Sequence, residues 1–74
     1  MNMKVTLLDS RRKSWKGLKT IEKHLRPCRV LVAPQSNLYE VEVFYEGGVI
    51  RAFGHSAKKA CKHIAKRLKS GLPV

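Results

Sequence analysis

The sequence predicts an α+β fold: a three-stranded antiparallel sheet with two helices on one face, in the order α-β-β-β-α, preceded by an extra N-terminal strand or a loose arm. Three observations predict it. Apolar residues recur at helical spacing in two separated basic stretches, an alternating apolar and acidic stretch lies between them, and a Gly-Gly pair stands where that stretch must turn back. Each helix has an apolar stripe with nowhere else to go, which places both on the same side of the sheet.

Residues 1–9 hold the arm or extra strand, drawn over Met3 to Leu8. In the first helix Trp15, Leu18, Ile21 and Leu25 form the apolar stripe, while Arg12, Lys16, Lys19, Lys23 and Arg26 form a basic stripe roughly 140° away at about 100° per residue. Ser10 or Ser14 is the expected cap and Pro27 the stop. Cys28 to Ala33 (CRVLVA), β-branched and bounded by Pro27 and Pro34, reads as a strand. Pro34 to Asn37 (PQSN) is a connection. Leu38 to Glu46 then alternates, with Tyr39, Val41, Val43 and Tyr45 on the core face and Glu40, Glu42 and Glu46 on the other, broken by Phe44. Gly47-Gly48 supplies the positive φ of a tight hairpin, and Val49 to Phe53 returns. Gly54-His55-Ser56 leads into the second helix, capped by Ser56 and stopped by Gly71 and Pro73. Its core side carries Ala57, Ala60, Cys61, Ile64, Ala65 and Leu68; its outer side carries Lys58, Lys59, Lys62, Lys66 and Lys69. Residues 1–74 make one domain, with 71–74 a short tail.

Charge narrows the function classes. Sixteen Lys and Arg against five Asp and Glu give +11, on a chain whose 43% hydrophobic share is ordinary for a folded domain. The charge is uneven: residues 1–26 are net +6, residues 27–50 net −2 and residues 51–74 net +7. Excess positive charge costs the folded state self-repulsion unless a polyanion relieves it. The opening residues do not read as a secretory signal and no stretch has membrane-spanning length, so a cytoplasmic protein is expected. Cys28 and Cys61 form no C-x-x-C pair and read as small core residues. The His24, Cys28, Cys61 and His63 spacings match no common zinc pattern, so neither metal nor cofactor is expected. No nucleophile stands beside a base and carboxylates are few, which points to a non-enzyme.

A charged helix face is usually solvated surface. Two such faces, with the acidic residues kept elsewhere, point instead to duplex nucleic-acid backbone, held through Ser56, Lys58, Lys59, Lys62, Lys66 and Lys69 of the second helix and Arg12, Lys16, Lys19 and Lys23 of the first. Such contacts carry little sequence specificity and do not separate RNA from DNA. Trp15 reads as core, with base stacking the alternative; Phe44, among glutamates, reads as either a stacking residue or an interaction patch. His55 reads equally as a phosphate contact or a turn residue, and His24 and His63 as surface. The competing class is a small protein-interaction or inhibitor protein docking its basic helices on an acidic protein partner; under either reading the chain is expected to be a monomer or weak dimer.

The tract YEVEVFYEGGVIRAFGHSAKKACKHIAKRL resembles the last two strands and closing helix of the double-stranded-RNA-binding domain, and the order helix, three strands, helix is similar to that family's. The resemblance covers roughly the C-terminal half. Gly54-His55-Ser56 stands at the family's G-x-S step, and Lys58-Lys59-Ala60-Cys61-Lys62 at its KKxAK sequence, with Cys61 in place of the small core alanine. An alignment with Ala60 at that alanine instead loses one lysine. The resemblance implies that these lysines grip phosphates across a groove. Ala-Pro-Gln-Ser-Asn at 33–37 replaces the family's GPxH loop, and the first helix is more basic than the family's. A weaker similarity, to the arm-type DNA-binding domains of integrases, implies a sheet laid in the major groove; Glu40, Glu42 and Glu46 would then face phosphates, which argues for docking by the helices. A small basic domain of this kind also fits a phage or mobile-element accessory protein.

Overall fold

A computed structural model describes residues 5–71. The chain is α+β, with two helices and a four-stranded antiparallel sheet: β1 (Thr6–Leu8), α1 (Lys16–Leu25), β2 (Cys28–Pro34), β3 (Tyr39–Tyr45), β4 (Gly48–Gly54) and α2 (Ala57–Ser70), with the strands in the order β1-β2-β3-β4. The extra N-terminal strand is present as β1, pairing Thr6, Leu7 and Leu8 with Val32, Leu31 and Val30. It covers a β2 edge that a three-stranded sheet would leave open. Met3 and Lys4 of the expected strand, and Pro73 and residues 72–74 of the expected stop and tail, lie outside the described residues. Among the described residues no helix is long and apolar enough to cross a membrane.

Period-two alternation sets the two sheet faces. Val30 pairs with Val43, Val32 with Val41, and these in turn with Ile50 and Ala52, so one face is a block of branched and small apolar side chains. Leu18 and Ile21 of α1 and Ala60, Cys61 and Ile64 of α2 are all fully buried in the same cluster, which puts both helices on that face. Tyr45 packs half-buried against it, as expected. Tyr39 does not: at 42% exposure it stands outside the cluster, because its cross-strand partners Pro34 and Gly54 are the terminal residues of their strands. In the β3–β4 hairpin Tyr45 pairs with Gly48, leaving Glu46 and Gly47 as the loop; of the glycine pair only Gly48 has positive φ (138°).

The first helix is shorter than the sequence suggests. Neither Ser10 nor Ser14 caps it; the N-cap position is Trp15, whose side chain makes no capping bond. The cause is a preceding turn, in which the Asp9 carbonyl accepts from the Arg12 and Lys13 amides (2.9 Å each) and the Asp9 carboxylate accepts from the Arg11 amide (2.9 Å). That amide bond, more than the Arg11 guanidinium, lowers the Asp9 pKa. Ser10 sits in this turn and donates its hydroxyl to Glu22 on α1. Arg12 is therefore in the turn and not on the helical stripe. α1 stops at Leu25 because Pro27 pushes Arg26 into extended backbone (φ −59°, ψ 136°).

The second helix follows its sequence signals closely. Ser56 caps it, its hydroxyl accepting from the Lys59 amide at 3.1 Å, and Gly71 ends it in the left-handed region at φ 71°. Two glycines set where it lies. A Cβ on Gly54 would stand 2.8 Å from the Ala60 amide nitrogen, so the start of α2 rests directly on β4. A Cβ on Gly17 would stand 3.0 Å from the Cys61 carbonyl carbon and the Lys62 nitrogen, so α1 crosses α2 backbone to backbone.

The open sheet face differs from the acidic surface the sequence suggests. Arg51, opposite Glu42 in register, places its Nε 2.8 Å from the Glu42 carboxylate and 3.7 Å from that of Glu40. With Arg29 on the same face, Glu40 and Glu42 are matched in charge, and Glu46 lies in the turn. The face also exposes Leu7, Phe44, Val49 and Phe53.

Candidate functional site

The basic residues are not shared equally between the helices. α1 holds Lys16, Lys19, Lys23 and the opposing Glu22, whereas α2 holds Lys58, Lys59, Lys62, Lys66, Arg67 and Lys69 and no acid. The remaining cations of the N-terminal segment lie before α1 or at its C-cap, and Arg51 is on the sheet. The expected pair of equivalent basic helices is thus one strongly basic helix beside a short, mildly basic one.

Their crossing makes a groove. Ser14, Trp15, Lys16, Gly17 and Thr20 on the α1 side face Lys58, Lys62, Ala65, Lys66 and Lys69 on the α2 side, around an open volume of about 580 Å³. Gly17 and the buried Ala65 contribute no bulk, so the walls are lysine stems and one tryptophan. Spacing explains the gathering. At about 100° per residue Lys58, Lys62, Lys66 and Lys69 share one flank of α2, and the rise of about 1.5 Å per residue sets Lys58, Lys62 and Lys66 about 6 Å apart.

Among the described residues no acidic side chain lines the groove. The ion pairs of the described residues are Arg11 with Asp9 and Arg51 with Glu40 and Glu42, and none engages a lysine of α2. Among the described residues, therefore, no acidic side chain pairs with any of the five ammonium groups of the groove. The first turn of α2 also has no acidic residue, so the positive end of the helix dipole adds to Lys58. Such an array can hold a chain of negative charges spaced along α2.

Of the residues expected to act together, the groove gathers Lys16, Lys58, Lys62, Lys66 and Lys69. It does not gather Arg12, Lys19, Lys23 or Lys59, which are exposed elsewhere, and Ser56 serves the cap. Phe44 is on the opposite face of the molecule, on the open side of the sheet. His24 and His63 are exposed; the Nδ1 of His24 lies 3.0 Å from the Thr20 carbonyl. Arg67 donates to the Arg51 carbonyl at 3.3 Å, which ties it toward β4 and away from the groove.

Trp15 belongs to both readings made of it. One part packs against the core cluster and another lines the groove, and the exposed Lys13 ammonium stands 5.3 Å from the ring centroid. Gly17 went unnoticed in the sequence, although an isolated glycine inside a helical pattern signals close backbone approach.

The cysteines are free thiols, Cys61 fully buried and Cys28 half-buried. Burial pushes the Cys61 pKa up to about 11; burial, and then the nearby Glu22 charge, raises that of Cys28. Neither carries reactive-thiolate character at neutral pH. Among the described residues no three His, Cys, Asp or Glu side chains gather as a metal site. No protein-family model, curated protein or solved structure matches this chain.

Proposed function

We propose that the protein is a non-catalytic nucleic-acid-binding module that grips duplex backbone, RNA or DNA, through α2 with help from the start of α1. The observation that carries this reading is the groove of five lysines, with no acidic lining residue among the described residues. Phosphate recognition needs cations at strand-like spacing and backbone dipoles of the right sign, and α2 supplies both. The resemblance of the tract from Tyr39 to Leu68 to the double-stranded-RNA-binding domain supports the same face. The exposed Lys59 and the outward Lys19 and Lys23 extend the positive field around it.

The test is an anisotropy titration against matched double-stranded RNA, double-stranded DNA and single strands over a range of salt. Neutralising about five phosphates of duplex DNA gives a log–log salt slope on the order of −4. The double variant Lys62→Glu, Lys66→Glu should flatten that slope by roughly two and weaken binding to every duplex alike. Lys19→Glu with Lys23→Glu should cost less. Equal losses from the two pairs would place the contact outside the groove. Affinity for one acidic protein that persists at high salt, with no duplex affinity, would replace the reading with that of an interaction protein.

A further inference from the structure

We infer that the α1–α2 groove takes an unpaired nucleotide, stacked on Trp15 and flanked by phosphates on the α2 lysines, so that the protein favours duplex carrying a single-stranded tail. The inference rests on the nucleic-acid reading of the same face and adds to it the form of the ligand.

Size comes first. An open volume of about 580 Å³ is that of a small-molecule site, large enough for a base with its sugar and too small for a duplex to enter. The backbone contact of Gly17 with Cys61 and Lys62 fixes the helices at close approach there, so the groove cannot widen at its base without separating α1 from α2. A duplex can lie across the rim; only an unpaired segment can go in.

Chemistry comes next. Backbone gripping alone needs no aromatic residue, yet the ring in this cluster of lysines is a tryptophan that the core only half covers. The exposed Lys13 ammonium stands 5.3 Å from the ring centroid and is not among the groove-lining residues, whereas Trp15 itself lines the groove. A base can stack on the part of the ring that lines the groove, with the Lys13 ammonium near enough to turn to its phosphate. Lys58, Lys62 and Lys66, about 6 Å apart along α2, match the separation of successive phosphates on one strand. Lys16 faces them from α1. An aromatic platform beside a lysine track is the combination by which single strands are held without sequence preference.

The chain has a single tryptophan, so its emission reports this site alone. The experiment compares a blunt duplex, the same duplex with a short unpaired tail, and the isolated tail, reading anisotropy and Trp15 fluorescence together. The expected result is saturable quenching by the tailed duplex and by the tail, none by the blunt duplex, and roughly tenfold tighter binding of the tailed form. Trp15→Leu, which keeps an apolar packing group, should remove the tail's advantage, so that the ratio of tailed to blunt affinity falls to about one. Should that variant fail to fold, the fluorescence of the unaltered protein still decides. Equal affinity for blunt and tailed duplex with unchanged emission would overturn the inference while leaving duplex gripping intact. Absence of binding to all three would overturn both.

Discussion

Replacing Gly17 by alanine sets two effects of opposite sign against each other. Within a helix, alanine is favoured over glycine by about 1 kcal/mol, because it restricts the unfolded backbone and adds no strain. Here the added methyl would stand 3.0 Å from the Cys61 carbonyl carbon and from the Lys62 nitrogen, and 3.1 Å from the Cys61 oxygen. These are backbone atoms of a helix and cannot swing aside as a side chain would. Relief requires α2 to move as a body, and α2 is held by fully buried Ala60, Cys61 and Ile64 on one side and by Gly54 under its first turn on another. Overpacking of this kind costs about 1–3 kcal/mol, which outweighs the propensity gain and leaves a net loss of about 1 kcal/mol. Gly17→Val adds two more methyls at the same point and gives up the propensity gain as well, so its loss should be about 3 kcal/mol. Urea denaturation of the three proteins at neutral pH should rank them glycine, alanine, valine in falling midpoint with a common m-value. A Gly17→Ala protein more stable than its parent would refute the reasoning, since that is the behaviour of an exposed helix position where nothing stands against the methyl.

Two further outcomes follow from single groups. Ser56→Ala removes the side-chain acceptor of the Lys59 amide and should lower stability by about 1 kcal/mol, whereas Ser56→Asp should restore most of it; chemical denaturation reads both. Cys61 keeps its proton in the folded protein up to about pH 11, while the unfolded thiol titrates near 9.0. Between those values the unfolded chain binds fewer protons than the folded one, so this contribution to stability is complete below pH 9, falls as pH rises and is lost above pH 11, a change on the order of 3 kcal/mol. Stability curves of the parent and Cys61→Ala should therefore converge across that range; curves that stay parallel would show that the buried thiol is not responsible.

Most of the fold was legible because each element carried a strong local signal. The valines of β2 and β3 announced a half-buried sheet, and Ser56 with Gly71 bracketed α2. β1 was harder, since three residues carry little periodicity and only Leu8 is buried. The start of α1 was misplaced because two serines offered caps, whereas Asp9 spends its carbonyl and carboxylate on a turn that moves the helix start to Lys16. The candidate site was half visible. Helical periodicity put Lys58, Lys62, Lys66 and Lys69 together, but Lys59 falls off that flank and Lys19 and Lys23 point away from it. Which flank of α2 meets α1 depends on Gly17, a contact across 44 residues of chain that no local pattern encodes. The neutral sheet was missed for a similar reason: Arg51 reaches Glu40 and Glu42 only once register is known.

That Arg51 clamp shapes how the protein would approach an anionic surface. Together with Arg29 on the same face, it balances Glu40 and Glu42 and leaves this sheet face close to neutral, so the centre of charge is displaced from the centre of mass toward the helices. A particle built this way feels a torque as well as a pull and turns its helices forward before it touches. At 0.1 M salt the screening length of about 10 Å is shorter than the thinnest dimension of the molecule, 22 Å. At contact range an anionic polymer would therefore sense the helix layer more strongly than the sheet behind it.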